Sequence, residues 1–372
     1  MPVRTNTWTH PRPARRLTSQ AILDRCEVKV LRELRRLRAR GWKEEDLDND
    51  FRSQRERADN PPLEAKYAWY NGMARIMREL DVEASVIPPS DPFEFLDLGC
   101  APGGFSAHVL RTNPQARGVG ISLSEAQGGN TFLLDSFYSP RYEYIEQDLL
   151  EYDFHAIRDE GEEHNISGTS FPPAFLDRFQ LVLLDCHPLR AYSPTCTVAS
   201  EVPWRYSAPG AYSGALLITQ FIIALGCVQP GGTIIVKLSH IEGSPAAQLL
   251  YLLDTISESL LVLKPRTMHA NRSSFYAIAK GVGMEKHAAL KGQYLEGLKA
   301  LWYELKYGRP GGGARGLTET DLDFVVSVDT ILDMEGYLMR LIELGRGVWA
   351  TQVEGLRRFF GKKGMRDLPW SL

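Results

Sequence analysis

From residue 93 to residue 282 the chain alternates short apolar runs with stretches of helical spacing, and no other feature limits the fold as much. Seven runs stand out, at 94–98, 117–121, 142–145, 179–185, 233–238, 260–264 and 275–280. Strands separated by helices pair into a mostly parallel sheet with helices over both faces. The expectation is an α/β architecture, a doubly wound seven-stranded sheet over residues 92–282, with helical extensions at 18–91 and 283–372. A chain of 372 residues with 44% hydrophobic content has ample apolar material for such a core.

The flanks read differently. Residues 1–17 are rich in Pro and Arg and are expected to be poorly ordered. Over 19–41, Ile22, Leu23, Val28, Leu31, Leu34 and Leu37 recur at helical spacing, which predicts one amphipathic helix. Its other side carries Arg25, Lys29, Arg32, Arg35, Arg36, Arg38 and Arg40 against only Asp24, Glu27 and Glu33. That side is either a solvated face on a helix docked by its leucines, or a contact for nucleic-acid phosphates. Asn60-Pro61-Pro62 breaks the chain before a second helix at 63–80. Beyond Gly283, helices are expected at 290–307 and 330–344, around a flexible Gly-rich stretch at 309–316, and could receive a protein partner. Residues 159–170 read as a surface insertion.

A formal charge of −3 excludes a protein that coats nucleic acid over its whole surface, so any such contact must be local. The five cysteines show no metal-ligand spacing and read as reduced thiols of an intracellular protein, nuclear or cytoplasmic, with no metal. The N-terminus lacks a signal-peptide core and no run is long enough to span a bilayer, so no membrane association is expected. Oligomeric state is left open.

Asp97-Leu98-Gly99-Cys100-Ala101-Pro102-Gly103-Gly104-Phe105 follows the first strand and opens a helix. Glycines there allow a tight turn and close backbone approach to a ligand, and the helix start offers unpaired N–H groups. The spacing is GxxxGG with a proline, not GxGxxG, which suits a carboxylate-bearing cofactor better than a diphosphate. A turn without a ligand is the alternative.

This string resembles the cofactor motif of the FtsJ-like RNA ribose 2'-O-methyltransferases. Further stretches, Phe105 to Leu110, the GALLITQFIIALGCVQPGG run from Gly214, Ile234 to Lys237, Leu250 to Leu253 and Leu263 to Arg266, are similar to the eukaryotic mRNA cap branch of that family. The resemblance covers about half the chain, roughly 93–282, and implies a Rossmann-like fold and S-adenosylmethionine as cofactor. It places Asp97, Gly99, Ala101, Pro102, Gly103, Gly104 and Phe105 around the methionine part and Asp148 at the adenine, although Asp148 can equally cap a turn. At the end of strand two, where such domains often hold the ribose with an acid, this chain has Ser122, with Glu125 as a substitute nearby.

The family acts through a Lys-Asp-Lys-Glu tetrad. Asp185, also counted at the cofactor edge, and Lys237 match its aspartate and central lysine at two strand ends. The other two positions depart from it. Arg272-Ser273-Ser274-Phe275-Tyr276 puts Ser274 where the family has glutamate. Lys66 is the best candidate for the first lysine, yet aligning Met73-Ala74-Arg75 with the family helix puts Gly72 there. Slower chemistry, a different base or no chemistry follows. His187 and His240 can reach the pocket as alternative bases or be ordinary loop histidines. Arg190, Tyr192, Trp204, Arg205 and Tyr206 lie where a substrate loop belongs and can stack on bases or grip phosphate. The leading expectation is an S-adenosylmethionine-dependent RNA ribose 2'-O-methyltransferase, with capped RNA in view. The alternatives are a catalytically silent relative that binds RNA or cofactor, and a methyltransferase for another acceptor.

Overall fold

The computed structural model describes residues 17–41, 61–154, 169–189, 210–308 and 314–365. Of the stretch 1–17 expected to be poorly ordered only Leu17 is described, and it is buried with its N–H on Ser244 Oγ at 3.3 Å; residues 1–16, most of the insertion at 159–170, the aromatic and basic segment at 190–209 and the glycines at 311–313 lie outside the described residues.

The sheet has seven strands: β1 Phe93–Leu98, β2 Ala116–Ser122, β3 Tyr142–Glu146, β4 Phe179–Leu184, β5 Val228–Ser239, β6 Ser259–Leu263 and β7 Ser274–Val282. Their order is β3-β2-β1-β4-β5-β7-β6. All neighbours from β3 to β5 are parallel, and β7 runs antiparallel to both β5 and β6. A direct connection joins β6 to β7, which pair antiparallel, whereas the parallel pairs β1–β2 and β4–β5 are joined by helical crossovers.

Alternate residues of each strand enter different cores, which is why the runs are apolar at consecutive positions. Leu96, Leu98, Val182, Leu184, Ile234 and Val236 face one core. Phe93, Phe95, Leu181, Leu183 and Ile235 face the other. The second core is closed by α3 Leu63–Ala84 and α4 Gly104–Thr112, through Ile76, Met77, Leu80, Phe105 and Val109. The first is closed by α5 Ala211–Cys227 and α6 Ser244–Ile256, and extended by α7 Ala288–Tyr307 and α9 Leu338–Lys362, whose Trp302 and Trp349 are fully buried.

Two expected helices are divided. The region 19–41 forms α1 Ser19–Leu23 and α2 Lys29–Gly41, because Arg25 and Cys26 both return their N–H groups to the Ile22 carbonyl. Residues 330–344 are not one helix either. A turn separates the short α8 Val328–Ile331 from α9, with the Asp333 carboxylate accepting from the Glu335 N–H and its carbonyl from the Gly336 N–H.

Helix α2 is docked by its leucines, since Leu31, Leu34 and Leu37 are buried against the first core. Several arginines have partners within the fold: Arg35 with Gln20, Arg36 with Glu33, Arg38 with Glu242 and Gln352, and Arg40 over the Phe360 ring of α9. Glu242, 6% exposed, also accepts from Trp349 Nε1 at 3.2 Å, so one carboxylate ties α2, the end of β5 and α9 together.

Burial works to raise the Glu242 pKa, but the His240 hydrogen bond and the Arg38 guanidinium overcome it and hold the carboxyl at about 2. A folded pKa below the ordinary value means that this stabilisation is present above about pH 4.5 and lost as pH falls toward 2, a contribution on the order of 3 kcal/mol. Urea unfolding between those pH values is expected to show the loss in the wild type and a flatter profile in Glu242→Gln. Identical acid slopes would show that this carboxylate does not clamp the extensions.

Candidate active site

The carboxyl edge of the parallel strands carries the candidate groups. At the end of β1 the chain turns at Gly99, φ +77°, whose N–H donates to the Ile121 carbonyl at 2.8 Å. A Cβ here would lie 2.6 Å from Cys186 Sγ and 2.9 Å from the Cys186 nitrogen, so the loop after β1 touches the loop after β4 with no room for a side chain. Gly103, φ +104°, caps α4 without a side-chain acceptor. The first N–H groups of α4 therefore have no partner within the helix and form an anion-binding end.

Other residues of the motif serve packing. A Cβ on Gly104 would meet the Tyr70 carbonyl at 2.3 Å, so its missing side chain lets α4 lie against α3. The Phe105 ring is buried 5.9 Å from that of Tyr276, so its side chain packs in the core and only its backbone is placed toward the loop. Asp97 is 1% exposed and accepts from the Ser106 hydroxyl at 2.6 Å, anchoring α4 to the sheet. Burial pushes its pKa up to about 7, with the Ser106 hydrogen bond opposing and the Asp185 charge adding. Ala101 is buried, and the Pro102 carbonyl accepts from the Leu133 N–H at 2.9 Å. No spacing or motif pointed to this last contact, by which residues 132–134 lie over the Gly-rich loop.

Ser122 is buried at the end of β2, and its carbonyl receives the Gln147 N–H at 3.0 Å. Asp148 caps the turn at 149–151, its Oδ1 accepting from the Leu150 N–H at 2.9 Å, which is the alternative the sequence allowed. It also lies close enough to Cys186 to act on that thiol, and so sits on the same side as the Gly-rich loop.

Asp185 and Lys237 meet. Lys237 Nζ is 3.1 Å from Asp185 Oδ1, and the Tyr276 hydroxyl donates to the same oxygen at 2.9 Å. Lys237 and Tyr276 are cross-strand partners on β5 and β7, and Asp185 directly follows the last residue of β4, so three adjacent strands build this trio. Burial, followed by the Asp185 charge, raises the Tyr276 pKa far enough to keep the phenol a donor. Sequence reasoning named the aromatic position without giving it this part.

The remaining tetrad positions are not rebuilt. Lys66 does not join the pair, because its ammonium binds Thr131 Oγ1 at 2.5 Å and lies 3.8 Å from Glu125, beyond the end of β2. At Gly72 a Cβ would be 2.1 Å from Met268 Sδ, so a thioether fills that place. Ser274 begins β7 on the same strand face as Tyr276, and its carbonyl accepts from Lys264 Nζ at 2.6 Å. Lys264 also binds the His269 and Arg272 carbonyls, and so organises the β6–β7 turn beside the pair. His240 is turned to Ser273, with Nε2 3.1 Å from its hydroxyl. His187 stays beside Asp185, with Nδ1 3.2 Å from the Asp185 carbonyl.

A Gly-rich turn after β1, an open helix start and an acid–lysine pair at one sheet edge define a methyltransferase-type α/β domain. The FtsJ-like methyltransferase family model matches residues 77–282, and the chain belongs to that family. It is 22% identical over 275 residues to cap-specific mRNA (nucleoside-2'-O-)-methyltransferase 1 of Drosophila melanogaster, covering 74% of this chain and 32% of that protein. Against the Ailuropoda melanoleuca protein of the same name, identity is 32% over 189 residues, 50% of this chain and 21% of the other. The chain thus matches at most about a third of these relatives' length. A ribosomal RNA methyltransferase from Plasmodium falciparum is 16% identical with a TM-score of 0.36, covering 56% of this chain and 96% of that one.

Family membership brings S-adenosylmethionine as cofactor, and the cradle fits it. Gly99 and Gly103 leave backbone open to approach, and the α4 N-terminus suits a carboxylate. Gly99→Ala must strain φ and push against the Cys186 backbone, an expected cost of about 1–3 kcal/mol with a marked loss of cofactor affinity. Gly292→Ala, whose Cβ meets nothing within 4 Å, is the control, expected to change stability by less than about 1 kcal/mol. Equal calorimetric affinities for both variants would remove Gly99 from the cofactor site.

Proposed function

We propose that this chain is an S-adenosylmethionine-dependent RNA ribose 2'-O-methyltransferase acting on capped RNA. The Lys237–Asp185 pair at 3.1 Å, standing beside the Gly-rich loop, carries the reading. The activity for which these relatives are named supports the same acceptor. The cofactor, when bound, supplies an electrophilic methyl group on a sulfonium.

A ribose hydroxyl is a poor nucleophile, so this chain must align it and help its proton leave. Lys237 would hold the 2'-oxygen through a charge-assisted hydrogen bond, and Asp185, fixed by Tyr276, would hold Lys237. Asp148 would receive the adenine with its capping turn, and Ser122 would lie by the cofactor ribose. An intracellular compartment, nucleus or cytoplasm, follows from the substrate. Among the described residues no helix is long and apolar enough to cross a membrane.

The second reading, a silent relative that binds RNA or cofactor, is favoured by Met268 at Gly72 and by the lost carboxylate at Ser274. Incubation with labelled cofactor and capped or uncapped RNA separates the two. Lys237→Met is expected to lower transfer roughly 100-fold or more while cofactor affinity stays unchanged. A wild type that binds cofactor but labels no RNA would establish the silent reading. Ser274→Glu is expected to change the rate by less than about tenfold, since its lysine partner is missing and network residues act together. A larger gain would identify that carboxylate as the sole lost element.

A further inference from the structure

The proposed reaction needs a proton acceptor for the ribose hydroxyl, and the Asp185 carboxylate is already engaged by Lys237 and Tyr276. Lys237, 3.1 Å from that carboxylate, is placed as a hydrogen-bond donor. Lys66 lies elsewhere, and the places of the missing lysine and glutamate hold Met268 and Ser274. Resting on the 2'-O-methyltransferase reading, we propose that His187 Nε2 takes the proton of the ribose hydroxyl.

The geometry comes from the chain's own turn. His187 follows Asp185 by two residues, and its Nδ1 is 3.2 Å from the Asp185 carbonyl. A carbonyl only accepts, so Nδ1 carries the hydrogen and donates it, which leaves Nε2 as a bare acceptor. No contact occupies Nε2 among the described residues, and His187 keeps solvent access although protein packs around part of it, so a substrate can meet it.

The charges facing the ring agree with this. Protein packed around it, then Lys237 and Arg272, lower its pKa, against the Asp185 carboxylate and carbonyl that raise it. The imidazole is therefore neutral at pH 7. His269, on the β6–β7 turn, also faces this cluster, and desolvation, Arg272 and Lys237 hold it at about 4, which makes it a weak base near neutral pH.

In the step, the 2'-oxygen forms a bond to the methyl carbon as the carbon–sulfur bond breaks, and that electron pair stays on sulfur. The hydroxyl proton passes to Nε2, and the imidazolium then returns it to water. Lys237 holds the oxygen and His187 accepts from it, dividing between two residues what the family tetrad combines.

The test uses the full chain, labelled cofactor, capped RNA, and the variants His187→Gln and His187→Ala. Glutamine can still donate to the Asp185 carbonyl but cannot take a proton at neutral pH. Both variants are expected to lose roughly 100-fold in kcat with RNA KM and cofactor affinity little changed. Added imidazole is expected to rescue the alanine variant only. The wild-type rate should rise to a plateau with an apparent pKa below the ordinary histidine value, and the variants should lack that limb. Nitrogen NMR of the free protein should show the Nδ1–H tautomer with Nε2 unprotonated at pH 7. The opposite tautomer, or His187→Gln activity within about twofold of an active wild type, overturns the assignment and leaves the enzyme reading standing. A wild type silent on every RNA overturns both.

Discussion

Strand ends in this molecule are fixed by a sheet buried on both faces. Five parallel strands, from β3 to β5, finish at one edge, and their alternate residues are locked into separate cores. A one-residue slip in any of them would exchange those cores, so the register holds firmly. Asp185, Lys237 and Tyr276 inherit that rigidity, which is why a buried acid, a lysine and a phenol can share one oxygen. A buried carboxylate without its partner would be costly. The same edge brings Gly99 against Cys186, closing the first and fourth strand ends into one rim.

The extensions are part of this arrangement rather than attachments to it. The α1–α2 segment, α7 and α9 share the first core, and Glu242 joins two of them to the end of β5 through Arg38 and Trp349. That carboxylate is five residues beyond Lys237 in a chain that leaves the sheet there. Packing of the flanks therefore bears directly on the loop bordering the pair. The arginines of α2, numerous as they are, serve this docking in good part.

What could be read from the sequence was whatever depends on strand periodicity and on one loop. The apolar runs located the strands, and Asp185 and Lys237 followed because each ends such a run. The turn Asp97 to Gly104 was legible for the same reason. Relations between elements were not. Lys66 looks like any helix lysine until packing of α3 on α4 aims it at Thr131 and Glu125. Met268 lies almost two hundred residues from the Gly72 it fills, and no spacing rule joins them. Phe105 reads as a motif residue, but the aromatic partner that draws it into the core comes from β7. Likewise, capping by Asp148, the break after Ile22 and the Nδ1 contact of His187 are local hydrogen bonds that propensity leaves undecided.

On the proposed reading, Lys237 and Asp185 still present a ribose oxygen for methylation although half of the family's tetrad is gone. Nucleoside analysis by mass spectrometry, after the full chain has acted on capped RNA with S-adenosylmethionine, tests it most directly. A 2'-O-methylated nucleoside and no methylated base are expected. Methyl groups on a base, or an unmodified RNA from protein that binds the cofactor, would contradict it.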